Sequence, residues 1–152
     1  MEKEKTIDTL NNLIQINNDR IEGYKTAADE TKDSDLKSLF SQFQSTSSKI
    51  NGELRSEVSR LGGTPTESTR ITGKFFRVWM DVKAALTGND KKTILESCEY
   101  GENVAKKTYE DVLTNDIENL SSEQQSMLKE QHSSLVSDYN KVKSMNDAHV
   151  SI

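Results

Sequence analysis

Apolar residues recur every three or four positions along five stretches of the chain, a spacing typical of amphipathic helices. The stretches cover about 6–29, 35–61, 70–86, 91–113 and 122–145. In the first stretch the apolar stripe consists of Ile7, Leu10, Ile14, Asn17, Ile21, Tyr24 and Ala28. The pattern predicts an all-α protein with four long helices and one shorter helix.

Polar turns separate these helices and carry residues that favour helix ends. Ser34 is the predicted cap of the second helix, because its hydroxyl can accept an unpaired backbone N–H. Ser121 with Gln124, or Ser122 with Gln125, would form a capping box at the last helix. The short turns predict two antiparallel hairpins, one from the first two helices and one from the last two.

The segment Leu61–Pro65 contains two glycines and the only proline of the chain, and it predicts the end of the second helix. The helix predicted over 70–86 would be about 24 Å long, at about 1.5 Å per residue. It can therefore carry the chain back along the bundle. This plan predicts a single ferritin-like domain over 1–152: a four-helix bundle with a short fifth helix in the crossover.

Four of the apolar stripes are interrupted by polar residues at Asn17, Ser47, Glu102 and Gln131. Counted from the two hairpin turns, all four positions lie near the middle of the bundle. The crossover plan would therefore bring them into one internal polar layer. Within it, an acid such as Glu102 must find hydrogen bonds or take up a proton. Its predicted contacts are Gln131, Tyr24 or Tyr109.

A di-iron centre of the ferritin-like type would occupy this same level. It needs inward carboxylates and Glu-x-x-His pairs, but the chain contains no Glu-x-x-His. A weaker metal site remains an alternative, and its candidate ligands are Glu102, Glu99, His132, Glu22 and Asp19. In the competing interpretation Glu99, Glu22 and Asp19 are solvated and His132 lies on the surface. No catalytic residue and no cofactor other than a divalent metal is predicted.

Composition narrows the possible partners and location. The 152 residues carry a net charge of −5 without a basic run, which argues against nucleic-acid binding. No apolar stretch is long enough for a membrane span, and the N-terminus lacks the apolar core of a signal peptide. The single Cys98 fits a reducing compartment. A cytoplasmic protein is therefore expected.

Several motifs occur in an order that resembles a known family. They are Asp19-x-x-x-Gly23-Tyr24-x-x-Ala27-Ala28, Leu61-Gly62-Gly63-x-Pro65, Trp79-Met80-Asp81-Val82-Lys83 and Gly101-Glu102 followed seven residues after Glu102 by Tyr109. Together they resemble a bacterial four-helix-bundle family of unknown function within the ferritin-like superfamily, over about 6–145. The resemblance implies a ferritin-like bundle, a bacterial source and no established activity. Family members often carry histidines where this chain has Phe76 and Tyr139, which weakens the case for metal.

The sequence favours a non-enzymatic bundle in a stress-associated or protein-interaction role, acting as a homo-oligomer or with a protein partner. One version of this hypothesis uses the aromatic face of the 70–86 helix, which includes Trp79, to bind the partner. The alternative is a degenerate carboxylate and histidine metal-binding protein related to di-iron bundles.

Overall fold

The computed structural model describes residues 2–67 and 91–150, and within these ranges the chain is helical, with no strand. The long helices are α1 (Glu2–Glu30), α2 (Ser34–Arg60), α3 (Lys91–Asn115) and α4 (Ser122–Val150), with a 3-10 turn at Ile117–Asn119. The all-α prediction is confirmed for the described residues. The helix predicted over 70–86 lies outside them.

Side-chain caps explain where two of the helices begin. Asp33, not the predicted Ser34, caps α2, since its Oδ1 accepts hydrogen bonds from the amides of Asp35 and Leu36 at 2.9 and 3.1 Å. At α4 the capping box is Ser121 with Gln124. The Ser121 amide donates to the Gln124 side chain at 2.9 Å, and the Gln124 amide donates to the Ser121 hydroxyl at 3.1 Å. Both caps satisfy amides that have no partner inside the helix.

The helices pack most closely within each hairpin, α1 against α2 and α3 against α4, and α1 also contacts α3 while α2 contacts α4. Near one end of the bundle the Thr6 hydroxyl donates to the Asn119 carbonyl. Near the other end the Lys91 ammonium lies 3.1 Å from the Asp33 carboxylate. Helices α1 and α3 are therefore antiparallel. Since α1 and α2 are antiparallel as well, α2 and α3 run in the same direction.

The chain leaves α2 through a glycine turn and is held against the first hairpin. Gly62 has a φ of 85°, and the Gly63 amide donates to the Val58 carbonyl at 2.9 Å. The Asn11 side chain then donates to the Thr64 carbonyl at 3.2 Å and accepts from the Thr66 amide at 3.0 Å. Because Asn11 lies within α1, the start of the connection turns back along the bundle.

We expect Gly62→Ala to lower the free energy of unfolding by about 1–2 kcal/mol, because a Cβ disfavours the left-handed backbone at that position. Urea unfolding followed by circular dichroism would measure the change. Gly52→Ala is the matched control: Gly52 lies inside α2 with open space where the Cβ would be, so alanine should stabilise the protein by about 0.5–1 kcal/mol. Equal effects at both glycines would contradict the assignment of the turn.

The described residues form two apolar clusters in the interior. One includes Leu10, Leu54 and Leu128, and the other includes Phe40 and Ile94. The residues of the predicted polar layer lie between the two clusters along α1 and α2. None of the helices in the described ranges combines the length and the apolar character needed to cross a bilayer.

Candidate functional site

The centre of the bundle holds the guanidinium of Arg20, which is completely buried. Its Nε and Nη2 donate to the two carboxylate oxygens of Glu102 at 3.0 and 2.6 Å. Nη2 also donates to Asp138 at 3.1 Å, and Nη1 donates to the Ser47 hydroxyl at 2.5 Å. One side chain of α1 therefore bonds to α2, α3 and α4. The planar guanidinium suits this role, because it presents five donors in a fixed geometry.

Aromatic rings cover the guanidinium on the side of the second apolar cluster. The Arg20 Cζ lies 5.6 Å from the ring centre of Tyr24 and 5.8 Å from that of Phe43, both within cation–π range. The Tyr24 hydroxyl donates to Glu102 at 2.5 Å. Tyr24 therefore both shields the ion pair from water and adds a third donor to the Glu102 carboxylate.

A chain of hydrogen bonds extends from Arg20 through the rest of the polar layer. The Ser47 hydroxyl donates to the Asn17 carbonyl oxygen at 2.8 Å, and the Asn17 amide donates to the Tyr109 hydroxyl at 3.2 Å. The Tyr109 hydroxyl donates to Gln131 at 2.8 Å. The Gln131 amide donates to Glu53 at 3.1 Å, beside a surface groove between α2 and α4. The network thus reaches from the buried guanidinium to the solvent.

The predicted polar layer is confirmed: Asn17, Ser47, Glu102 and Gln131 are all buried, at most 2 % exposed, and belong to one network. Of the three contacts predicted for Glu102, the structure confirms Tyr24. Gln131 and Tyr109 bond instead to each other. The polar breaks in the stripes were therefore the sequence signal of this network.

Burial dominates the electrostatics of the layer. It raises the pKa of the Glu102 carboxyl, while the charge and hydrogen bonds of Arg20 and the Tyr24 hydroxyl oppose this effect. Burial also raises the pKa of the Cys98 thiol, which is therefore held in its unreactive form. For Arg20, burial lowers the pKa, but Glu102, Tyr24 and Asp138 together outweigh burial and the net shift is upward. The guanidinium is consequently a permanent cation.

The candidate metal ligands take different positions. Glu102 bonds to Arg20, whereas His132 lies 2.8 Å from Glu110 on the half-buried outer side of the second hairpin. Glu99, half-buried, accepts a hydrogen bond from Asn146 at 3.4 Å. Asp19 is buried on α1 and Glu22 is exposed. Within the described ranges, no three His, Cys, Asp or Glu side chains form a group suited to a metal ion. The metal site stays a prediction.

Sequence reasoning missed Arg20. The predicted stripe of the first helix passed through Ile21, but Ile21 is half-buried and Arg20 is fully buried. A signal was available, because Arg20 follows Leu13 and Ile16 in steps of three and four. The need of a buried Glu102 for a cation would have favoured that register.

Fold and site together define the class: an all-α helical bundle whose interior is joined by a buried network around an arginine. The chain belongs to the family described as Domain of unknown function (DUF2383), whose model matches residues 5–115. A comparison with curated proteins finds no match to this sequence. The family match includes Arg20 and Glu102 and ends before α4, which supplies Gln131 and Asp138.

Proposed function

We propose that this protein is a non-enzymatic, cytoplasmic bundle of the ferritin-like type, from a bacterial source, that acts in protein interaction or in stress. The observation that carries the proposal is the buried guanidinium of Arg20 between carboxylates of α3 and α4. In this interpretation the Arg20 guanidinium occupies the centre of the bundle and stabilises the fold. The interaction role belongs to the surface of the molecule.

The ferritin-like arrangement is supported by two features of the described chain. Helices α2 and α3 run in the same direction, so the segment between them starts and finishes at opposite ends of the bundle. Asn11 holds Thr64 and Thr66 in a course back along α1. Both features are those expected of a single long crossover between two antiparallel hairpins.

The non-enzymatic proposal follows from what Arg20 does to the carboxylates. Di-iron bundles bind their cations between inward carboxylates near mid-bundle. Here both Glu102 oxygens accept from Arg20, and one also accepts from Tyr24. A metal bound to Glu102 would have to displace the guanidinium and leave it buried without its strongest partner. Such an uncompensated buried charge is strongly destabilising.

The test is the metal content and oxidase activity of protein purified without chelator. We expect elemental analysis to find no stoichiometric iron. Iron added together with peroxide should be oxidised no faster in the presence of the protein than in buffer alone. Glu102→Ala should not change either measurement, and the exposed Glu118→Ala is the matched control. Stoichiometric iron with peroxide-dependent oxidation that Glu102→Ala abolishes would overturn the proposal and favour the metal alternative.

A further inference from the structure

The two carboxylates that share Arg20 are held unequally. Glu102 accepts two hydrogen bonds from the guanidinium, at 3.0 and 2.6 Å, and a third from Tyr24 at 2.5 Å. Asp138 accepts a single bond from the guanidinium, at 3.1 Å. Forked arginine–carboxylate pairs are stronger than single contacts. Glu102 is therefore the principal counterion of Arg20, and Asp138 is the second acid on a cation that is already neutralised.

Asp138 faces charged or polar groups on each of the four described helices. Arg20 approaches it from α1, the Thr46 hydroxyl lies near it on α2, and Glu102 lies across the guanidinium on α3. On its own helix the nearby charge is Lys141, an exposed residue that also donates to Gln42. The Asp138 residue is only 3 % exposed. With both acids ionised, the buried triad of Arg20, Glu102 and Asp138 would carry one excess negative charge.

We propose that Asp138 is a proton-binding switch: it takes up a proton when α4 packs onto the other helices, and loss of that proton weakens the attachment of α4. An uncompensated buried charge is expensive, and a carboxyl avoids it by protonation. Asp138 lies near the middle of α4, so its charge acts where that helix meets Arg20. The switch goes beyond the structural role proposed above, because it makes the bundle responsive to pH.

The direction of the pH response follows from the shift in the pKa of Asp138. Burial raises the pKa of Asp138, and the charge and hydrogen bond of Arg20 only partly oppose it. A raised folded-state pKa contributes stability that is complete below the ordinary aspartate value of about 4 and is lost as pH rises through the raised value. The raised pKa of Glu102 contributes in the same direction, in the wild type and in Asp138→Asn alike. Two other described carboxyls contribute stability that is lost at lower pH. The pKa of Asp33 is lowered by the Leu36 amide, and that of Glu57 by Arg60.

The experiment measures stability against pH for the wild type, Asp138→Asn and the exposed control Asp111→Asn, by urea unfolding from about pH 4 upward. Asparagine keeps an acceptor for Arg20 but cannot titrate. As pH rises, the folding equilibrium constants of the wild type and of Asp111→Asn should fall relative to that of Asp138→Asn, by up to about tenfold per pH unit. This fall should end once Asp138 is ionised in the folded protein. Identical pH profiles for the wild type and Asp138→Asn would overturn the proposal.

A second measurement uses the wild type alone, so that it holds even if Asp138→Asn does not fold. Carbon-13 NMR of protein labelled at aspartate carboxyl groups should show the Asp138 signal titrating above the ordinary aspartate range. Amide hydrogen exchange should show α4 losing protection before α1 over the same pH range. An Asp138 signal that titrates within the ordinary aspartate range would contradict the switch. It would leave the role of Arg20 in the proposed function untouched.

Discussion

Arg20→Ala is expected to lower the free energy of unfolding by about 3–5 kcal/mol, the usual effect of removing one partner from a buried ion pair. Without the guanidinium, Glu102 and Asp138 would face each other as two buried acids, and Ser47 would lose its donor. Urea and thermal unfolding would measure the loss. For a chain of this size it corresponds to a fall in Tm of roughly 10 °C.

The matched control replaces the whole triad with apolar residues, as Arg20→Met, Glu102→Leu and Asp138→Leu together. Because apolar packing often equals or exceeds a buried ion triad in stability, the triple variant should recover most of the loss. This result would show that the penalty of Arg20→Ala comes from uncompensated charge and not from lost volume. A change below about 1 kcal/mol for Arg20→Ala would mean that water or another cation reaches the carboxylates.

Phe43→Ala should also lower the free energy of unfolding by about 3–5 kcal/mol, because the ring is completely buried and its removal leaves a cavity. Phe43 meets the Tyr24 ring edge-on, with the ring centres 5.2 Å apart, and lies 5.8 Å from the Arg20 guanidinium. The cavity would therefore open beside the ion network. Thermal unfolding monitored by circular dichroism would measure the effect.

The control for Phe43 is Tyr100→Ala, another aromatic truncation, on α3. Tyr100 is 46 % exposed, so its loss should change stability by no more than about 0.5 kcal/mol. Similar effects of the two truncations would argue against the observed packing of Phe43. If the stability of Phe43→Ala depends on pH in the same way as that of the wild type, the ring contributes by packing, independently of the charge on Asp138.

Much of the candidate site was predictable because polar residues on an apolar stripe are costly to bury and must find one another. Counting from the hairpin turns was enough to align Asn17, Ser47, Glu102 and Gln131. The identity of the buried cation was not predictable by the same count. Helical periodicity locates a face to about one residue, and Ile21 competed with Arg20 for the same inward position. The apolar residue was preferred on hydropathy alone.

The sequence by itself determined the all-α class, the described helices to within a few residues and the existence of a polar layer at mid-bundle. These follow from local periodicity, helix caps and turn residues. Only the tertiary structure decided which groups pair inside that layer. Hydrogen bonds of about 3 Å between residues more than 80 positions apart depend on the relative rotation of the helices, as the Arg20–Glu102 fork illustrates. That rotation results from packing the four described helices together, which no single stripe encodes.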